Sequence, residues 1–179
     1  MSRPLRGGVK GKGANEMAKL ALVRVDYRMV HGQVAVSWVK STNANKVIVL
    51  NDETAEDKLQ INIMKMSVGA DTKLNVYPIE KGVEKYKDNK FGKGIAILIF
   101  RTIADAKKAY DLGLSFKKLN VGQVPMAEGR RHAVATINLS DEEMDILTEL
   151  HNNGVDVYNN QTITDAKYSY EDILKSMQK

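Results

Sequence analysis

The chain of 179 residues contains no cysteine. That excludes disulfide frameworks and cysteine-based metal or redox sites, and it accords with a reducing cytoplasm. Long apolar runs are also missing. The longest, Ile95-Ala-Ile-Leu-Ile-Phe100, is strand-sized, far short of the ~20 residues that span a bilayer. Aromatic residues are 6% of the chain and do not interleave with basic clusters. Much of the net charge of +5 sits in residues 1–16, where Arg3, Arg6, Lys10 and Lys12 face Glu16 alone. The remainder is too nearly balanced to argue for nucleic acid as a partner. The histidines, His31, His132 and His151, show no metal-ligand spacing, and neither a nucleophilic-serine motif nor a dinucleotide fingerprint is present.

Hydrophobic residues make up 43% and charged residues 27%, proportions usual for a soluble globular domain with a sizeable core. Residues 17–179 read as one domain. Residues 1–16 have no apolar periodicity and lack the apolar centre of a signal peptide. They are expected to be a disordered leader or a segment appended for expression. Their glycines follow no strand and do not have the spacing of a phosphate-binding loop.

Beyond Met17, strand-like and helix-like segments alternate. Lys19–Asp26 reads as a strand and Gln33–Lys40 as a helix with Val34 and Trp38 on one face. Lys46–Leu50 is a β-branched strand ending at Asn51-Asp52. Glu53–Ser67 reads as one helix, with Ala55, Leu59, Ile63 and Met66 sharing a face, although Leu59–Ile63 also alternates like a strand. Leu74–Tyr77 is a short strand stopped by Pro78, before a polar helix over Ile79–Lys87. Ile95–Phe100, apolar throughout, suits a strand covered on both faces, as in a parallel sheet.

Thr102 is placed to cap the next helix, with Asp105 three residues on and Gly113 as its stop. Lys118–Val121 reads as a strand, 122–131 as a polar loop and Ala133–Leu139 as one more strand. Ser140-Asp-Glu-Glu143 is a capping box opening a helix that carries Met144, Leu147 and Leu150 and ends at Asn153-Gly154. Val155–Tyr158 is a strand, and Tyr170, Ile173, Leu174 and Met177 line a final helix.

This alternation predicts an α/β fold: a doubly wound, mostly parallel open sheet with helices on both faces. In such sheets ligands bind beyond the carboxyl ends of the strands, near a topological switch point. The candidate positions are therefore Asp26–His31, Asn51-Asp52, Arg101-Thr102 and Asn120–Gln123.

His31 falls in the first of these, at a strand-to-helix corner. A neutral imidazole is a good nucleophile near physiological pH. Phosphoryl transfer asks a protein chiefly to position the group and neutralise its oxygens. Arg28, three residues earlier, carries a guanidinium suited to that. The N–H groups of Gly32 and its successors open a helix and favour an anion, and Gly32 allows close backbone approach. Asp26 is placed to orient the imidazole or to hold Arg28. The same spacing also fits a surface histidine capping a helix, with Arg28 and Asp26 as a structural ion pair. His151, at a helix end, reads as a cap, and His132 as solvated. Asp52, at a strand end with Thr102 in the chain, has the position of a phosphorylated aspartate in a response-regulator receiver. The acidic pair such a site needs after the first strand is missing.

Arg24-Val-Asp26-Tyr27-Arg28-Met-Val-His31-Gly32-Gln33-Val34 resembles the signature of the IIB component of the mannose/fructose/sorbose class of the bacterial phosphoenolpyruvate-dependent sugar phosphotransferase system, roughly R-I-D-D-R-L-I-H-G-Q-V. The resemblance runs on through Trp38, Val-Leu-Asn51-Asp52-Glu53 with Ala55, Phe100-Arg101-Thr102, Asn120-Val121-Gly122 and Asp145 to Gly154. It implies a cytoplasmic phosphocarrier, associated peripherally with a membrane transporter. His31 would receive phosphate from a phosphohistidine on the IIA component, usually through Nδ1. It would pass the group to a sugar entering through the membrane IIC and IID components. Arg28 would hold the phosphoryl group, and Asp26 would support the loop. Arg24, Gly32, Gln33, Asn51, Asp52, Arg101, Thr102 and Gly122 would border phosphate or sugar. Direct transfer of this kind needs no metal, nucleotide or other cofactor. A regulatory member, phosphorylated on the same histidine but acting by protein binding, has the same motif.

Three positions depart from the pattern. Tyr27 replaces the second acid, Ile103 a proline, and Gly122-Gln123-Val124 a Gly-Gly-Met loop. The last two loops are expected to border the active site or partner surface.

Overall fold

Strands and helices follow one another as β1 (Lys19–Asp26), α1 (Gly32–Thr42), β2 (Lys46–Leu50), α2 (Asp52–Glu56), α3 (Lys58–Val68), β3 (Lys73–Tyr77), α4 (Ile79–Lys87) and β4 (Ile95–Phe100). Then come α5 (Ile103–Asp111), β5 (Lys118–Gln123), β6 (Arg131–Val134), β7 (Ile137–Leu139), α6 (Asp141–Asn152), β8 (Asp156–Asn159), β9 (Tyr168–Ser169) and α7 (Tyr170–Met177). The computed structural model describes residues 18–88 and 91–179, so the leader expected over 1–16 lies outside the described residues.

Seven strands form one sheet in the order β3-β2-β4-β1-β5-β8-β9. Every pairing is parallel except β8 with β9. The strand period of two sends alternate side chains to opposite faces. Val23, Val25, Ala96, Leu98 and Phe100 join the core under α4, α5, α6 and α7, including Ile79, Val83, Ile103, Ala106, Leu147 and Ile173. Leu22, Ile97, Ile99, Val47 and Val49 pack on the other face with Ala35 and Trp38 of α1 and Met64 and Val68 of α3. The fold is thus doubly wound, as the alternation implied.

Chain direction creates the cleft. From β1 the chain crosses one face through α1, whereas from β4 it crosses the other through α5. The loops after these adjacent strands diverge, which is the switch-point geometry that opens a crevice in such sheets.

Local signals held where they were self-contained. Thr102 with Asp105 and Ser140 with Glu143 both form capping boxes, and Gly113 ends α5 with φ of 100°. Two expectations are corrected. Glu53–Ser67 is not one helix: Asp57 has extended backbone, and its side chain accepts from the Gln60 N–H to start α3 afresh. The restart rotates the helix, so Leu59, Ile63 and Met66 face outward and Met64 and Val68 face the core. Ala133–Leu139 is not one strand either. Ala135, at φ of 44°, turns the chain back, and β6 pairs antiparallel with β7 in a separate small sheet.

Candidate active site

Alternation along β1 places Leu22, Arg24 and Asp26 on the α1 face. Arg24 and Asp26 are therefore buried where the sheet would otherwise take aliphatic side chains; they are only 2% and 1% exposed. A buried charge requires a partner, and these two supply each other. Arg24 Nε and Nη2 donate to Asp26 Oδ2 at 3.2 and 2.9 Å.

The loop after Asp26 turns tightly. The Met29 N–H donates to the Asp26 carbonyl at 2.8 Å, and the Arg28 N–H donates to Asp26 Oδ1 at 3.0 Å. Met29 adopts a left-handed φ of 57° and is buried with Val30. Such a conformation is unusual for a non-glycine residue and is often found at functional sites. Here it sinks Met29 and Val30 into the core and leaves Arg28 and His31 at the surface. Thr54 Oγ1 donates to the Met29 sulfur at 3.2 Å, tying the loop to α2.

His31 occupies the N-cap position of α1 with extended backbone and makes no side-chain capping bond. Its Nε2 instead lies 3.4 Å from Asp26 Oδ2. Burial pushes the Asp26 carboxyl up, but the His31 hydrogen bond and the Arg24 guanidinium outweigh it and hold the group below the usual carboxylate range. Burial also pulls the Arg24 guanidinium down, against the opposing charge of Asp26. An ionised carboxylate only accepts, so Nε2 is the N–H and the lone pair of the neutral ring lies on Nδ1. Arg28 is exposed, and among the described residues no acceptor holds its guanidinium. The Arg28–Asp26 ion pair considered from the spacing is thus replaced by Arg24–Asp26, with Arg28 contributing only its backbone N–H.

The other candidates divide by role. Gly122 is a packing residue, since a Cβ there would overlap the Arg24 guanidinium. Gly32 opens α1 with φ of 32° and free space around it. The helix continues through Gln33, whose side chain lies outside the described residues. Asn51 caps α2, accepting from the Thr54 N–H at 2.9 Å and donating to Asp105 at 3.0 Å. Asp52 accepts from the Ile79 N–H at 2.8 Å and pairs with Lys108 at 3.2 Å, and that backbone bond, then Lys108, lowers its carboxyl against burial. Thr102 caps α5. Both carboxylate oxygens of Asp52 are taken up in joining elements together. Arg101 pairs with Glu53 at 3.0 Å and lies 4.9 Å from the centre of the exposed Tyr27 ring. Arg101 thus links the loop after β1 and helix α2 to the end of β4.

A family model described as the sorbose-subfamily IIB component of the PTS system matches residues 20–179. The chain belongs to this family. It spans about half the length, 53%, of the mannose-specific EIIAB component of Escherichia coli K12, to which it is 24% identical over 95% of its own residues. It is 30% identical to the N-acetylgalactosamine-specific phosphotransferase enzyme IIB component 2 of the same strain, covering 79% of this chain and 90% of that one. Among solved structures, manxB of Thermoanaerobacter tengcongensis matches with a TM-score of 0.83 and 27% identity over 89% of this chain and 96% of that one. The IIBSor domain of the Klebsiella pneumoniae sorbose permease shares the fold, with a TM-score of 0.80 at 23% identity over 88% and 97% of the two chains.

In this IIB-family chain one further loop reaches the site. Arg24 Nη1 donates to Asn120 Oδ1 and to the Asn160 carbonyl, and Trp38 Nε1 donates to the Gln161 carbonyl at 3.0 Å. Asn160 was not among the sequence candidates. It follows β8 just as the other candidates follow their strands, so the strand-end rule applied once more would have included it. His151 makes no cap: it stacks on Tyr170 with ring centres 3.9 Å apart. His132 is exposed beside Asn138. Among the described residues, no helix is long and apolar enough to cross a membrane.

Proposed function

We propose that the protein is a phosphocarrier of sugar uptake. His31 Nδ1 accepts a phosphoryl group from a phosphohistidine on a IIA component and passes it to a sugar moving through membrane IIC and IID components. The observation that carries this reading is the Asp26 carboxylate 3.4 Å from His31 Nε2, which leaves Nδ1 as the nitrogen with the free lone pair. Family membership supports the same assignment.

In the first step the Nδ1–P bond forms as the donor N–P bond breaks. The product ring is a phosphorylated imidazolium that keeps its Nε2–H, and Asp26 stabilises the added positive charge. Arg28, exposed and unpartnered among the described residues, neutralises the phosphoryl oxygens. The first-turn amides of α1, left uncapped by His31, present a helix N-terminus to the same oxygens. In the second step a sugar hydroxyl oxygen forms the new O–P bond as the Nδ1–P bond breaks; the bond pair returns to Nδ1, restoring neutral His31, and the hydroxyl proton passes to water. The protein would meet the membrane only through its partners.

The test is transfer to sugar. The phosphorylated protein is mixed with membranes carrying IIC and IID, and sugar phosphate is measured. Sugar phosphate from the native chain and none from His31→Gln is expected. A protein that takes up phosphate but never yields sugar phosphate would instead be a regulatory member.

A further inference from the structure

The Arg24 guanidinium has a charged partner on one edge and neutral ones on the other. Nε and Nη2 face Asp26, while Nη1 faces the Asn120 side chain and the Asn160 carbonyl. Asn120 Nδ2 donates to the Asn160 carbonyl at 3.2 Å and to Asn160 Oδ1 at 3.3 Å, which turns its Oδ1 toward Arg24. The Trp38 ring packs 5.8 Å away, and Gly122 leaves the space the group fills. Guanidinium does not give up its proton in proteins. Its charge, removed from water, is met among the described residues by one anion, Asp26, whose carboxyl the His31 hydrogen bond and this guanidinium together hold ionised against the opposing effect of burial.

The protonation state of Asp26 has a consequence at His31. An ionised carboxylate accepts from Nε2–H and leaves the lone pair on Nδ1. A protonated carboxyl would present an O–H, which calls for a bare Nε2 and moves the ring proton to Nδ1. The carboxyl of Asp26 thus selects the nucleophilic nitrogen, and the cation behind it selects the state of the carboxyl.

We propose that Arg24, fixed by Asn120 and the Asn160 carbonyl, is a positioning residue that sets the tautomer of His31 through Asp26. The catalytic consequence rests on the phosphohistidine reading; the tautomer itself does not. The role is distinct from holding phosphate, since Arg24 lies buried beneath the loop that carries Arg28 and His31.

The test is NMR of the unphosphorylated protein above the imidazole titration range, reading the His31 ring nitrogens by ¹⁵N and the Asp26 carboxyl by ¹³C. The native chain and Arg24→Lys, which keeps the charge, are expected to show Nε2–H with Asp26 ionised. Arg24→Gln is expected to show Asp26 protonated and the ring proton on Nδ1. A folded Arg24→Gln that keeps an ionised Asp26 and Nε2–H overturns the proposal. Should that variant not fold by circular dichroism, Asn120→Asp sets a second carboxylate against Nη1, so that Asp26 is no longer the sole counter-ion of the guanidinium. A population with Asp26 protonated and the ring proton on Nδ1 is then expected, and an undisturbed Nε2–H population overturns the proposal. Inversion of the tautomer in a chain that never accepts phosphate would uphold the lock and remove the phosphohistidine reading. Labelling of His31 with an unmoved tautomer would do the reverse.

Discussion

Asp26 stands 3.4 Å from His31 Nε2 across a four-residue loop in which Tyr27 and Arg28 are exposed and Met29 and Val30 are buried. The same carboxylate holds Arg24 at 2.9 Å. A single oxygen therefore joins a buried cation to an accessible imidazole, and stability and chemistry meet at one residue.

Replacing Asp26 with Ala leaves Arg24 charged and unpaired at 2% exposure. Removing one partner of a buried ion pair costs about 3–5 kcal/mol. Urea unfolding of Asp26→Ala should show a loss of that order, and a loss below ~1 kcal/mol would mean the pair is not buried in solution.

The pH dependence follows in sign from the depressed carboxyl of Asp26. A group whose folded pKa lies below its unfolded value, about 3.9 for aspartate, stabilises the fold above that unfolded value. The contribution is lost as pH falls through the folded pKa. The native chain should thus lose stability below about pH 4 faster than Asp26→Asn. Parallel curves for the two proteins from neutral pH to pH 3 would contradict this.

Arg28 differs from Arg24 in exposure and in lacking a side-chain partner among the described residues. Arg28→Ala should change unfolding free energy by less than about 0.5 kcal/mol. Phosphoryl acceptance should slow by about 10²-fold or more, the scale seen when one donor to a developing charge is removed. Equal transfer rates in the two proteins would take Arg28 out of the mechanism.

Gly122 tests the packing of the lock. Its absent side chain is the room the Arg24 guanidinium occupies. Gly122→Ala should destabilise by about 1–3 kcal/mol through overpacking, with a slower transfer rate as Arg24 shifts. An unchanged melting temperature would show that Arg24 yields without strain.

Much of the fold was legible because its signals are local. Ile95–Phe100 is apolar at every position, and a strand between two helix layers needs that. The caps at Thr102 and Ser140 each close within four residues. Asp57 misled for the same reason: it reads as a mid-helix residue until its side chain is seen to cap the Gln60 N–H. That one break set the phase in which Leu59, Ile63 and Met66 face outward. At the site, Asp26, Arg28 and His31 were legible because one short loop carries them. The bonding of Arg24 to Asn120 and Asn160 was not, because these residues lie 96 and 136 positions along the chain from it. Only the placing of β5 and β8 beyond β1 brings them to it.

The central claim is that the phosphoryl group rides on His31 Nδ1. The most direct measurement is ³¹P and ¹⁵N NMR of ¹⁵N-histidine protein phosphorylated by phosphoenolpyruvate, enzyme I, HPr and a IIA component. An acid-labile, base-stable phosphate coupled to His31 Nδ1, and absent from His31→Ala, is the expected result. A phosphate on Nε2, a base-labile acyl phosphate, or undiminished labelling of His31→Ala would contradict it.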